Sequence, residues 1–495
     1  MNRITVATRI CERVGMLLCL TALLSACVGP TKLERPVDRT RLAAQIDAVL
    51  QDSALAQTRT GIKVVSLRTG EVWYERDAHL LFHPASNMKL LTTATALARL
   101  GPDFRFRTEV YADSVAWQDS VVAGPLYLKG FADPSLTLED LWSLVRQLKK
   151  RGVTAVTGDL ICDETYLDDF YRGAGWMWDD ASSSNFALIS ALTVNRNCVT
   201  VVVTPGRQVG DSVRVCVEPA TRYVRLENHA VTVDSSDSTR LRAFKVERKW
   251  RQRENTVEIR GGLLPEAGPR RYIVEVEEPA LFVGTLFAEL LAEEGIAFTG
   301  QVRKSAVPDS LALLARHLSE PLTVLILHTN KESDNLYAEL ILKTVGAEVK
   351  GPPGSAKKGL QVIREFLQSV GVDSTTLHLA DGSGVSRYNV VSPEQIVRLL
   401  TALERDFRVQ AEFKASLPIA GVDGTLRRRM VGTPAEGRVR AKTGTLRGVS
   451  ALSGYAVTAG GEPLAFSMIM EHFVGPTSKI RTIQDRILAL LCGMR

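Results

Sequence analysis

The chain carries no C-x-x-C pair and no His/Cys cluster at metal-ligand spacing, which argues against a structural zinc site. It has no G-x-x-x-x-G-K-[ST] loop, no H-E-x-x-H helix and no G-x-S-x-G elbow. The usual signatures of phosphate cradling, zinc proteolysis and the hydrolase elbow are therefore missing, and no cofactor is implied. Basic residues do not gather into a long patch interleaved with aromatics, and a formal net charge of +6 over 495 residues is mild, so nucleic acid is not an expected partner. Long apolar runs are missing too. Gly15–Leu24 is too short for a comfortable bilayer span, and no other run is long enough. Neither an internal repeat nor a low-complexity tract occurs.

What is present is the composition of an ordinary globular protein, 45% hydrophobic and 23% charged, in a chain too long for one core; length alone suggests about three domains. Arg3, Arg9 and Arg13 precede the short apolar run, which reads as an export signal over residues 1–26. It ends in Leu24-Ser25-Ala26-Cys27, similar to a bacterial lipobox. That pattern implies acylation of the Cys27 thiol, a membrane anchor through an N-terminal lipid and, with Val28 rather than Asp next, the outer membrane facing the periplasm. Ordinary signal cleavage near Ala26 is the alternative. Residues 27–40 read as a tether. Cys162, Cys198, Cys216 and Cys492 remain; Cys198 and Cys216 lie in β-rich runs and either pair or stay free.

A hairpin is expected at Ile62–Leu67 and Glu71–Tyr74, followed by one helix from Pro84 to Leu100 with Gly101 at its end. From about Phe104 to Thr299 short alternating strands dominate, closing with a helix near Ala280–Ala292. Helical periodicity returns from Leu311, in a stretch that carries Ser333 and then over Leu360–Val370 and Pro393–Glu404. Three strands, Arg438–Thr445, Val449–Val457 and Leu464–Met470, precede a last helix at Ile480–Leu491, with a Gly460-Gly461 hairpin between the last two strands. One domain is thus built from both ends of the chain around a β-rich insertion.

Three short strings carry chemistry: Ser86-Asn-Met-Lys89, Ser333-Asp-Asn335 and Lys442-Thr-Gly-Thr445. A serine hydroxyl attacks only when its proton is taken. At i, i+3 on a helix Lys89 can reach Ser86, and it is a base only if its pKa falls by about 2–3 units, through burial and a second cation, for which Lys442 is the candidate. Ser333 can relay a proton, Asn335 can hold a carbonyl or a lysine, and Asp334 should point away. Lys442, Thr443 and Thr445 can clamp a carboxylate, and Gly444 lets substrate backbone come close. Backbone N–H groups at Ser86 and Thr445 can face an oxyanion.

Each string has rivals. Ser355-Ala-Lys-Lys358 repeats the first spacing in an apparent loop, and Ser183-Ser-Asn185 repeats the second in an apparent surface loop. Ser333 alone has a second reading as the N-cap of the helix that begins at Asn335. His83 and His328 lack a partner Asp at useful spacing and read as structural. Arg427-Arg-Arg429 reads as a solvated helix face, with an anionic polymer as the alternative. Trp176 and Trp178 read as packing, with stacking on sugar as the alternative. Asp381-Gly-Ser-Gly384 reads as a tight loop lining the site through its backbone.

Taken together, Pro84-Ala-Ser-Asn-Met-Lys-Leu90, Glu332-Ser-Asp-Asn-Leu-Tyr-Ala-Glu339, Asp381–Arg387, Lys442–Thr445, Asp133-Pro134 and Ala191–Asn195 resemble the D-alanyl-D-alanine carboxypeptidase/endopeptidase family, class C low-molecular-mass penicillin-binding proteins. The resemblance implies an α+β, β-lactamase/transpeptidase-like domain, an antiparallel sheet flanked by helices, over 41–105 and 300–495. It implies two inserted modules, one over 106–160 and 270–299, the other over 161–269. It implies acyl transfer through Ser86, with Lys89, Ser333, Asn335 and Lys442 as catalytic groups and Thr443, Gly444 and Thr445 binding substrate. The implied partners are peptidoglycan stem peptides, with β-lactams as covalent inhibitors; a homodimer is left open. A β-lactamase or esterase on the same scaffold and a non-catalytic peptidoglycan-binding homologue are the alternatives.

Overall fold

The computed structural model describes residues 39–113, 117, 118, 120–180 and 183–495. The export signal, Cys27 and the tether up to residue 38 lie outside the described residues; residues 39 and 40, assigned to the tether from sequence, already belong to the first helix, α1 (Arg39–Leu50).

The half built from both ends of the chain is an α+β sandwich around a five-stranded antiparallel sheet. Its strands are β1 (Arg59–Ser66), β2 (Val72–Arg76), β3 (Val439–Leu446), β4 (Val449–Val457) and β5 (Pro463–Glu471), in spatial order β2-β1-β5-β4-β3. Strand β5 shows how the two layers arise. Its side chains alternate faces, as strand geometry demands. Leu464, Phe466, Met468 and Met470 pack against α1 and the last helix, while Ala465 and Ile469 enter the core on the opposite face. Both faces are buried, so the strand is apolar from Pro463 to Met470 save for the buried Ser467.

The second face is covered by α2 (Met88–Leu100), α3 (Leu322–Lys331), α4 (Asn335–Lys350), α5 (Ala356–Ser369) and α6 (Pro393–Arg405); α7 (Thr477–Gly493) covers the first with α1. Helix α2 is buried almost throughout, and Gly101 ends it at φ 86°, a conformation that glycine adopts at little cost. β3 is an edge strand, so one of its rims faces the cleft described below.

The inserted region has its own apolar core. One five-stranded sheet runs in the order Val302–Lys304, Leu160–Asp163, Leu126–Gly130, Arg107–Ala112, Ala312–Leu318. A three-stranded sheet pairs Arg214–Glu218, Cys198–Thr204 and Arg270–Glu275, and another pairs Arg225–Asn228, Thr256–Arg260 and Lys245–Arg248. Two groupings differ from the expected ones. Val302–Lys304 and Ala312–Leu318 pair into the sheet of the insertion, and Arg270–Glu275 pairs with Cys198–Thr204 across the expected module boundary. A helix at Leu138–Lys150 also breaks the β-rich texture; its capping box, Thr137 with Asp140, is a start signal that strand alternation nearby obscured. Cys198 and Cys216 do not pair. Cys216 lies opposite Val202 in the ladder, four residues or about 13 Å along the strand from Cys198, beyond disulfide reach.

Among the described residues no helix is long and apolar enough to cross a membrane, and no group of His, Cys, Asp or Glu is arranged to hold a metal.

Candidate active site

Ser86 sits in a 3-10 turn, Ala85–Asn87, that leads straight into α2. The turn is pinned from three sides. Asn87 donates to Ser453 Oγ on β4 at 2.7 Å. Ala85 holds a positive φ of 46°. Gly384, at φ 85°, lies so close that a Cβ there would stand 1.8 Å from the Ala85 carbonyl oxygen, so no side chain fits. A serine on a strained, over-determined turn is held where a flexible one would wander.

Lys89, one turn into the helix, is fully buried. Its Nζ donates to Ser86 Oγ at 3.0 Å, to Asn335 Oδ1 at 2.7 Å and to the Ser383 carbonyl at 2.8 Å. Burial drives its pKa down to about 8, against the pull of Asp381, Glu339 and Asp334. The displacement from 10.5 is worth about 3 kcal/mol between the two protonation states. Lys442, also fully buried, donates to Ser333 Oγ at 2.7 Å and to the Thr443 carbonyl at 3.0 Å. Burial lowers its pKa as well, and the charge of Lys89 adds to that. The like-charge effect therefore falls on Lys442, whereas burial is what depresses Lys89.

Ser333 is not on a helix. α3 ends at Lys331, α4 begins at Asn335, and Ser333 occupies the break with φ 62°. Asp334, not Ser333, caps α4, accepting from Tyr337 N at 3.2 Å. Its carboxyl also pairs with Arg196 at 3.0 Å and lies 3.4 Å from His328, so it does point away and is held below the usual carboxylate range despite burial. Capping thus frees the serine hydroxyl for Lys442 and sends Asn335 towards Lys89. His83 bonds Glu471 and His328 stacks on Tyr337, as structural histidines do.

On β3, Thr443 Oγ1 meets Thr425 Oγ1 at 2.8 Å and Thr445 Oγ1 accepts from Arg481 at 3.0 Å. Gly444 has a different job from the expected one. A Cβ there would come within 2.7 Å of the Pro84 carbonyl oxygen, so what the missing side chain admits is the serine turn itself.

A cleft of about 680 Å³ joins these groups; Ser86, Ser333, Asn335, Thr443 and Thr445 all line it. Sequence reasoning missed much of its wall. Asn185 and Phe186 reach in from the insertion, and the Asn185 carbonyl accepts from Asn335 Nδ2 at 2.9 Å, so Ser183–Asn185 is no idle surface loop. Arg427, Arg428 and Arg429 line the cleft with Arg481 rather than forming a solvated helix face. Behind the site, Glu339 accepts from the backbone N–H groups of Gly382 and Ser383, the loop that presents its carbonyl to Lys89. Burial and the neighbouring Asp381 push Glu339 up to about 7. The repeated spacing at Ser355 is an N-cap for α5, not a nucleophile site.

Comparison with known proteins gives one family. The D-Ala-D-Ala carboxypeptidase 3 (S13) pattern matches residues 42–491. The chain belongs to that family. It is 39% identical over 466 residues to the D-alanyl-D-alanine carboxypeptidase of Actinomadura sp. strain R39, covering 91% of this chain and 84% of the relative. It is 30% identical to D-alanyl-D-alanine carboxypeptidase DacB of Haemophilus influenzae, covering 79% and 80%. The crystal structure of penicillin binding protein 4 from Haemophilus influenzae superposes with a TM-score of 0.81 at 25% identity, covering 90% of this chain and 99% of that one. A complex of that protein with a β-lactam superposes with a TM-score of 0.73. Members of this family are serine-type carboxypeptidases, and the chain falls in that enzyme class.

Proposed function

We propose that the chain hydrolyses D-Ala-D-Xaa bonds in peptidoglycan stem peptides through an acyl-enzyme on Ser86. The observation that carries this is the 3.0 Å contact between Ser86 Oγ and a fully buried Lys89 Nζ whose pKa is depressed. In the neutral form Lys89 takes the hydroxyl proton as Ser86 Oγ bonds to the carbonyl carbon. Backbone N–H groups of Ser86 and Thr445 receive the oxyanion. Ser333, held by Lys442, passes the proton to the leaving amine as the C–N bond breaks; water then releases the acyl group. Asn335 orients Lys89, and Lys442, Thr443 and Thr445 attract the terminal carboxylate. A β-lactam, whose strained amide mimics that substrate, acylates the same oxygen. Export to the periplasm and a lipid at Cys27 suit a cell-wall substrate. The separate sheets of the insertion support two modules there, with boundaries shifted by the pairings given above.

The cleft also supports cutting crosslinks. A terminal carboxylate needs one cation, yet four arginines line the wall, and only Arg429 has a carboxylate within ion-pair distance among the described residues, Asp485 at 2.6 Å. Such an excess suits a leaving group with several carboxylates, as a second stem peptide has. Measuring D-Ala release and crosslink cleavage in parallel tests both readings. Arg427→Ala/Arg428→Ala should slow crosslink cleavage about 5- to 10-fold at low salt and less at high salt, while changing release from a small peptide by less than about 2-fold. Equal effects on both substrates would remove the support for crosslink cutting, and absence of both activities in the unaltered protein would overturn the peptidase reading.

A further inference from the structure

A second concave surface lies on the insertion, outside the cleft. It is a groove of about 470 Å³ whose lining includes Phe170, Trp178, Trp250, Arg172, Arg253 and Glu278. Two of its aromatic rings are displayed rather than packed: Trp178 is 72% exposed and Phe170 63%. Aromatic side chains of this size are ordinarily well covered, and exposed ones that converge mark binding surfaces. Trp178 stands on a short 3-10 turn with its ring centroid 5.7 Å from that of Trp250 at 43°. The guanidinium of Arg251 lies 4.3 Å from the Trp250 ring centre and props it from one side. Among the described residues the Trp178 indole N–H has no hydrogen-bond acceptor. Around the rings, Arg253 pairs with Glu277 at 2.9 Å and Arg172 with Glu275 at 3.7 Å, and Arg253 is open to solvent.

We propose that this groove is a subsite for the glycan strand of peptidoglycan. The chemistry favours an N-acetylated sugar polymer. A pyranose offers a flat C–H face to an aromatic ring, and its hydroxyl and acetamido groups suit planar guanidinium and carboxylate partners. Rings bordered by paired charges suit a ligand that offers both C–H faces and hydrogen-bonding groups. Continuity with the cleft points the same way. The segment that carries Trp178 also carries Trp176, whose indole donates to Asp381 of the active-site loop at 2.9 Å and whose ring packs on Phe186 of the cleft wall. One short segment thus borders both the groove and the cleft that takes the stem peptide, as suits the glycan of a peptide-bearing strand. The inference rests on the peptidase reading for that last step, and its test separates the two.

The test uses chitotetraose, a β-1,4-linked N-acetylglucosamine tetramer without peptide, followed by tryptophan fluorescence, alongside hydrolysis of a soluble D-Ala-D-Ala peptide and of intact sacculi. Chitotetraose should bind saturably to the unaltered protein. Trp178→Ala should abolish that binding and slow hydrolysis of sacculi about 5- to 10-fold, with soluble peptide unchanged, and Trp178→Phe should restore most of both. No saturable binding by protein that hydrolyses the soluble peptide overturns the subsite, as does undiminished binding by Trp178→Ala. A dimer that sedimentation shows in the unaltered protein and not in Trp178→Ala also overturns it, making the groove an interface between copies. Binding that needs Trp178 in a protein inert towards every peptide supports the subsite and overturns the peptidase reading instead.

Discussion

Ser86→Ala is expected to lower kcat/KM for a D-Ala-D-Ala peptide by a factor on the order of 10⁵–10⁶, the scale on which loss of an acyl-transfer nucleophile is felt. No covalent penicillin adduct should form at all. The fold should survive, because Ser86 is only half-buried and its neighbours Asn87 and Lys89 carry the contacts that pin the turn. Mass spectrometry of the intact protein after exposure to benzylpenicillin, with thermal unfolding as a control, reads both results. Full adduct formation in Ser86→Ala, or an adduct mapping to Ser355, would remove Ser86 from the mechanism.

Lys89→Met should come next in size. Loss of a positioned base costs about 10²–10⁴ in rate. Methionine fills much of the space of the lysine stem, so the core of α2 should stay packed, but Asn335 Oδ1 and the Ser383 carbonyl lose their shared donor. The acylation rate by benzylpenicillin is the informative readout, since it isolates the first chemical step. A variant acylated at the normal rate would mean that Lys89 only orients its neighbours.

Much of this site was legible in the chain because its chemistry is written in local spacing. Ser86 and Lys89 share a helical face whatever surrounds them, and Lys442-Thr-Gly lies in a run whose alternation marks a strand. What sequence could not supply was tertiary. Nothing near Arg427–Arg429 says that these side chains turn into a cleft, and Asn185 reaches Asn335 across 150 positions. Glu339 sat in plain view one turn after Asn335, yet its part in holding the Gly382-Ser383 backbone appears only when the loop is folded against α4. Ser333 was placed in a helical stretch because helical periodicity flanks it on both sides, although eight polar residues, His328–Asn335, interrupt the apolar period between α3 and α4. The signal that breaks it is the N-cap, and Asp334 and Ser333 compete for that position on equal propensity. Backbone strain at Ser333 decides the matter and leaves no trace in composition.

The pH dependence of acylation tests the central claim most directly, that a neutral Lys89 receives the Ser86 proton. With the lysine pKa near 8, only about a tenth of the molecules carry the free amine at pH 7. The acylation rate should therefore climb close to tenfold per pH unit below 8 and level off above it. Folding does not confuse the reading. Because the folded pKa of Lys89 lies below its unfolded value, the unfolded chain binds more protons between about 8 and 10.5, so this group makes the fold more stable as pH rises through that window. A rate rising through pH 8 in the unaltered protein, and flat there in Lys89→Met, is the predicted result. A profile flat from pH 6 to 9 in the unaltered protein, or one that keeps its rise in Lys89→Met, would contradict the account.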